Sequence, residues 1–193
     1  MKYCSLCGAE VSHQVPPDDN RPRYVCLSCR TVHYQNPRIV AGCLPEYEGK
    51  VLLCKRAIDP RYGYWTLPAG FMELGETSLE GAIRETREEA NANVEVLELY
   101  MVLNLPHVDQ VYMMFRSRLK DLDFSPGEES LEVDLFSEDE IPWDELAFST
   151  IRETLRCFFR DRETGLFRLH TGDIVKTGEG YDFRAAPRDG KSN

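Results

Sequence analysis

The chain has 193 residues, a net charge of −10 and an isoelectric point of about 4.9. Its 42% hydrophobic and 29% charged residues describe a globular protein; no apolar run reaches membrane-spanning length, and MKYCSLCGAE lacks a signal-peptide core, so the expected compartment is the cytoplasm. A surface of that sign repels polyanions at long range and argues against extended nucleic-acid binding. A bound divalent cation or a few arginines would still admit a small phosphorylated partner.

The chain opens with two C-x-x-C pairs, Cys4/Cys7 and Cys26/Cys29. Two such pairs at this separation match a four-cysteine zinc site, each turn offering two thiolates to one side of a tetrahedral ion. A pair of redox-active or disulfide-linked motifs is the alternative, but no βαβ context surrounds them. The intervening HQVPPDDNRPRY is too polar and proline-rich to form a core, so Zn2+ would supply most of this module's folding free energy. His33 is either a spare ligand or a surface histidine. The remaining cysteines, Cys43, Cys54 and Cys157, lie in apolar runs and are expected to be buried.

Next, Arg38–Pro45 and Val51–Arg56 read as a β-hairpin turning at Glu48-Gly49-Lys50. YGYWTLPAGF reads as a short strand ending in Pro68 and Gly70. A helix follows, then strands at Val94–Asn104, Gln110–Leu119 and Leu131–Ser137, and helical segments at Glu138–Ile141 and Ser149–Arg160. The polar, glycine-containing tail beyond about Gly178 is expected to be poorly ordered at its end. The expected division is a ribbon over 1–35, a main domain over 36–163 and an extension over 164–193. The fold class is α/β, with hairpins before and after one central helix.

That helix carries the chemistry. Thr77 and Glu80 form an S/T-x-x-E capping box that starts it at Thr77. At about 100° per residue, Leu79, Ala82, Ile83, Thr86 and Ala90 share a core stripe, and Glu85, Glu88 and Glu89 share another face. Gly81 lies on the carboxylate face, where its missing side chain would let a ligand approach. Three converging carboxylates are either a solvated acidic face or a site for a hard cation such as Mg2+.

The spacing from Gly70 to Ala92 resembles the signature of the Nudix hydrolases, G-x5-E-x7-R-E-U-x-E-E-x-G-U. Gly70, Glu76, Arg84, Glu85, Glu88 and Glu89 match it. Thr86 and Ala92 replace bulky aliphatics, and Asn91 replaces the second glycine, a position where asparagine tolerates the left-handed conformation of a helix end. The resemblance, over roughly Ile39 to Phe159, implies a mixed β-sheet sandwiched between helices. It also implies hydrolysis of a nucleoside diphosphate linked to another group. By that resemblance Glu85, Glu88, Glu89 and the Gly70 carbonyl would bind Mg2+ or Mn2+, while Arg84 and Glu76 would form an orienting ion pair. The general base would be Glu129, Glu132 or a motif glutamate, with Glu132 taken as the leading assignment. Arg56 would contact phosphate or ribose. An adenine would stack on Tyr34, Trp65, Tyr112 or Phe148, all of which could equally be core residues; Trp65 is taken as the substrate contact.

A four-cysteine module before the motif is shared with NADH pyrophosphatases of this family, but their SQPWPFPxS motif is absent after Ala92. The zinc pairs, YQNP, WTLPAGFMELGE and PGEESLE-x-x-LF-x-x-DEIP-x-x-x-LAFS are similar to bacterial and plastid Nudix proteins acting on FAD and ADP-ribose. That implies AMP plus FMN or ribose 5-phosphate as products. Hydrolysis of noncanonical nucleoside triphosphates, and a zinc-ribbon nucleotide sensor without catalysis, remain alternatives. Related ADP-ribose hydrolases dimerise, so a homodimer is compatible with the resemblance.

Overall fold

A computed structural model describes residues 1–178 and 180–186, and divides them into a unit of Met1–Pro37 and one beginning at Arg38. The first is a three-stranded antiparallel sheet of β1 (Val11–Gln14), β2 (Arg23–Cys26) and β3 (Val32–His33). Its buried hydrophobic residues are only Cys4, Val25 and Cys26. That is far too little apolar area to offset the ordering entropy of some thirty-five residues.

The second unit is built on a nine-stranded sheet. β4 (Arg38–Tyr47) and β5 (Lys50–Arg56) form the expected hairpin, with Glu48 and Gly49 in the left-handed conformations that its turn requires. They pair with each other only at Glu46–Val51 and Tyr47–Lys50, then splay apart. Into the gap runs the segment expected as one strand, here two short ones: β6 (Trp65–Thr66) on β5 and β7 (Ala69–Phe71) on β4, divided by Pro68.

Beyond α1 (Ser78–Ala90) come β8 (Val94–Leu105), β9 (Gln110–Leu119) and β10 (Ser130–Phe136), close to their sequence-derived bounds. β9 runs parallel to β4 across nine paired positions, Arg38–Gln110 through Glu46–Arg118. α2 (Ser149–Thr164) covers the sheet face where Leu44, Leu53, Met101, Met114, Phe158 and Phe159 are buried. The opposite face packs Ala41, Cys43, Cys54 and Phe115 against Ala82 and Ala90 of α1. Two apolar layers thus hold the sheet between two helices, and Cys43, Cys54 and Cys157 are buried as expected.

One expectation fails for an identifiable reason. Glu138–Ile141 is not a helix: Pro142 stops any continuation, and residues 138–140 form a single turn closed by Ser137 N–H donating to Glu140 Oε2 at 3.0 Å. A one-turn 3-10 helix follows at Trp143–Glu145. The tail contains a hairpin, β11 (His170–Thr177) and β12 (Gly180–Ala185), with β11 joined parallel to β8. His170, Gly172 and Ile174 are buried while Thr171 and Asp173 are exposed. The alternation is real, but only Ile174 is a strongly apolar member of the inward set. Residues 187–193, the far end of the tail, lie outside the described residues. Among the described residues no helix is long and apolar enough to cross a membrane.

Candidate active site

The helix α1 begins where the capping box places it. Glu80 N–H donates to Thr77 Oγ1 at 3.2 Å, and Thr77 N–H donates back to Glu80 Oε2 at 2.8 Å. Its far end closes on Asn91 in the left-handed conformation (φ 49°). Its buried arc, however, is rotated toward the glutamates: Gly81, Ala82, Thr86, Glu89 and Ala90 are buried, while Leu79 and Ile83 are each 39% exposed. Small residues let the helix lie close to the sheet, so the two bulky aliphatics are left on its outer flank. Gly81 does not open a path for a ligand. A side chain there would collide with the Glu76 carboxylate and approach Ala41, so the glycine makes room for Glu76.

Three carboxylates, Glu76, Glu85 and Glu88, share one guanidinium. Arg84 grips Glu76 bidentately, Nε to Oε2 at 3.0 Å and Nη2 to Oε1 at 2.8 Å. Its Nη1 reaches Glu85 Oε1 at 2.7 Å and Glu88 Oε2 at 3.0 Å. Arg84 holds the Glu76 carboxyl far down, at about 2. Gly70 lies directly against the Glu85 carboxylate, so close that a Cβ there would overlap it.

Glu89 is different. It is only 6% exposed, and its carboxylate accepts one backbone hydrogen bond, from Ala69 at 3.3 Å. Burial first, then the Glu85 charge, push it up to about 8, and burial raises Glu85 as well. Among the described residues Glu89 has no ion-pair partner and Glu85 shares Arg84 with Glu76 and Glu88, so this is a donor set short of positive charge. That is the condition a hard divalent cation with oxygen ligands satisfies.

The loop before β10 is stitched onto the end of α1. Ser125 N–H donates to Ala90 O at 2.9 Å and Gly127 N–H to Glu89 O at 3.0 Å. A side chain at Gly127 would strike the Glu88 carbonyl, so this approach requires glycine. The Asn91 amide donates to Ser125 and Pro126. Held this way, the loop brings Glu129 close enough for its charge to raise both Glu85 and Glu89.

A model of the NUDIX domain matches residues 36–160, and a model of the zinc-ribbon "Nudix N-terminal" module matches residues 2–35. The chain belongs to the Nudix family. A NUDIX hydrolase from Nitrosomonas europaea has a solved structure similar over 90% of this chain and 99% of that one, at 58% identity and a TM-score of 0.87. An ADP-ribose pyrophosphatase from Methanocaldococcus jannaschii is 30% identical over 119 residues, 60% of this chain and 69% of that protein. The NAD-capped RNA hydrolase NudC of Photorhabdus laumondii is 28% identical over 149 residues, covering 73% of this chain. This chain spans about half the length of that hydrolase, 53%. The protein is a Nudix hydrolase, with a mixed sheet between two helices preceded by a zinc-ribbon module.

Within the Nudix domain, not every residue singled out from sequence falls beside the glutamates. Glu132 is drawn into an ion pair with Lys55 at 2.9 Å, because a bulge between Ser130 and Glu132 sets it opposite Lys55 across the β5–β10 ladder. Glu129, not Glu132, is the loop carboxylate that acts on the glutamate cluster. Trp65 is 7% exposed, edge-on to Phe136 with the Lys55 ammonium 5.5 Å from its ring centre, and offers no open face for stacking. Arg56 does turn toward the site: its charge acts on Glu89, and its guanidinium lies 5.2 Å from the partly exposed Phe148 ring. The bidentate Glu76–Arg84 pair was legible in the motif, whereas the extension of Arg84 to Glu85 and Glu88 was not.

In the ribbon, the sulfurs of Cys4, Cys7, Cys26 and Cys29 lie within 4.8 Å of one another, at 3.8 Å for Cys4–Cys29 and 3.4 Å for Cys7–Cys26. Edges near 3.7 Å are those of a tetrahedron with metal–sulfur bonds of about 2.3 Å. Backbone N–H groups of Leu6 and Cys29 donate to Cys4 and Cys26 Sγ, and the Thr31 hydroxyl brings the Cys29 thiol down to about 6. His33 Nε2 sits 3.3 Å from Cys4 Sγ, beside the four-sulfur set and not in place of a member of it.

Proposed function

We infer that this Nudix hydrolase cleaves the diphosphate of a nucleoside diphosphate joined to a second group, with ADP-ribose and FAD as its substrates and AMP as the common product. The observation that carries the reading is the buried Glu89 beside Glu85, which lies against Gly70, with Arg84 locking Glu85 and Glu88 in place. Glu85, Glu88, Glu89 and the Gly70 carbonyl would hold Mg2+ or Mn2+, and Cys4, Cys7, Cys26 and Cys29 would hold Zn2+. The chemistry such an ion would supply there is neutralisation of phosphate oxygens and a lowered pKa for a water.

The chain's own groups do the rest. Arg84 fixes the rotamers of Glu85 and Glu88, so these carboxylates need no reorganisation when substrate arrives. Arg56 supplies a charge to a phosphate oxygen, and the Phe148 face beside it supports a base or ribose. Glu129, on its exposed loop, accepts the proton of the attacking water. The ADP-ribose preference draws on the Methanocaldococcus jannaschii relative, and the FAD preference on the sequence resemblance. The similarity to NAD-capped RNA hydrolases makes NADH the reading to exclude.

The test is incubation of the protein with FAD, ADP-ribose, NADH and dGTP in Mg2+, with products identified by mass. AMP from FAD or ADP-ribose, at rates above those for NADH, is the expected result. Pyrophosphate from dGTP as the dominant product would replace this reading with triphosphate hydrolysis. Binding without turnover of any of the four would replace it with a sensor.

A further inference from the structure

At the other end of α2, a cavity of about 610 Å3 opens between the last turn of the helix and the β11–β12 hairpin. It is far from the glutamates: Phe148 at the start of α2 and Asp161 in the cavity wall are separated by about 20 Å of helix at 1.5 Å per residue. Its volume falls in the range of small-molecule sites. The walls are of two kinds. Leu166, Leu169 and Phe183 form apolar surface, and Arg160, Arg168 and His170 bring basic groups to the same space.

The basic groups are organised from behind. His170 is 7% exposed, and its Nε2 lies 2.6 Å from Asp161 Oδ2, the same oxygen that accepts the Tyr100 hydroxyl at 3.1 Å. Tyr100 is fully buried on β8, so the Tyr100–Asp161–His170 chain fixes the imidazole plane from inside the core. With Nε2–H committed to a carboxylate, Nδ1 is the nitrogen left over, and among the described residues it makes no hydrogen bond. An anion entering the cavity would lie against this free edge of the ring. Asp161, the one carboxylate in the wall, is occupied by His170 and Tyr100, with Arg160 Nε 3.7 Å from its other oxygen. Among the described residues Arg168 has no ion-pair partner. In a chain of net charge −10, this concentrates positive charge at one concave spot.

We propose that this cavity is a second ligand site, taking a small phosphate monoester with a flat apolar body, of the class of a nucleoside monophosphate. The phosphate sits among Arg160, Arg168 and His170, where guanidinium groups match its geometry, and the body lies against Phe183 and Leu169. The site requires neither the acidic cluster nor its metal.

The probe is AMP, titrated calorimetrically into the full chain, its Glu85→Gln/Glu89→Gln variant and its Arg160→Gln/Arg168→Gln variant. Both arginines are at the surface, so their removal leaves the fold intact. His170→Gln, which retains an N–H toward Asp161, is the second variant. AMP should bind the first two proteins equally and the arginine variant at least about tenfold more weakly. Adenosine should not bind, and AMP should shift the His170 ring nitrogens in 15N spectra. The proposal is overturned by absence of AMP binding, by equal binding of adenosine, or by binding lost with the glutamates and kept without the arginines. That last pattern would assign AMP to the active site alone, and none of these outcomes bears on whether FAD or ADP-ribose is hydrolysed.

Discussion

The two units of this chain solve the stability problem in opposite ways. The ribbon buries Cys4, Val25, Cys26 and little else, and its four sulfurs face one another. The Nudix domain buries Leu, Phe, Met and Tyr side chains on both faces of a nine-stranded sheet, and it can leave a carboxylate such as Glu89 underneath a helix. In the first, the cluster of ionisable groups is where a bound metal would supply stability; in the second, it is a local liability that the surrounding core carries. Metal removal should therefore unfold one and only disarm the other.

The largest effect should come from breaking the ribbon. Cys26→Ser, or a zinc chelator, should abolish amide protection in residues 1–37 while the domain retains its own cooperative thermal transition. Loss of both transitions together would show that the domain depends on the ribbon.

Next in size is the acidic cluster. Glu89→Gln should lower Mg2+-dependent turnover by at least about 100-fold, equivalent to roughly 3 kcal/mol of transition-state stabilisation. The same substitution should leave the domain's Tm unchanged below about pH 8, where Glu89 is protonated, and raise it above, where a buried carboxylate would otherwise ionise. A Tm drop of the size expected for a core truncation such as Phe158→Ala, about 3–5 kcal/mol, would instead make Glu89 a structural residue.

Arg84→Lys sharpens the contrast within the site. A lysine keeps the charge but cannot hold Glu76 bidentately while reaching Glu85 and Glu88, so activity should fall about 10- to 100-fold. Unaltered kinetics would remove Arg84 from its positioning role.

The pH dependence follows from Glu89, whose folded value of about 8 lies above the ordinary 4.5. Between those values the folded state binds more protons than the unfolded state. Stability of the protein without added Mg2+ is therefore greatest below about 4.5 as far as this group is concerned, and declines as pH rises toward 8. Thermal scans should show added Mg2+ raising the domain's Tm by several degrees at pH 8 and hardly at all at pH 5. The smallest effect expected is that of Thr77→Ala, about 1 kcal/mol from loss of the α1 cap.

What could be read from the chain divides along the same line. The fixed spacing of Gly70, Glu76, Arg84, Glu85, Glu88 and Glu89 announces the cluster because each residue is close in sequence to the next. The helix start was legible in Thr77 and Glu80 for the same reason. Leu79 and Ile83 misled because periodicity alone cannot know that small residues let α1 roll toward its carboxylate side. Glu129 could not be told from Glu132 by sequence, since the choice depends on a bulge in β10 and on the distant Lys55. The β11–β12 hairpin was missed because its inward positions include a histidine and a glycine, which carry no hydrophobic signal.

The contact of Ser125 and Gly127 with the last carbonyls of α1 also has a consequence for how the enzyme comes into being. The end of the catalytic helix is completed by backbone donors supplied some thirty-five residues later. During synthesis, a nascent chain that has not yet delivered residue 127 therefore has the whole Nudix motif but an unfinished helix end beneath Glu89. Completion of the helix end that carries Glu89 is thereby tied to docking of the loop that carries Glu129.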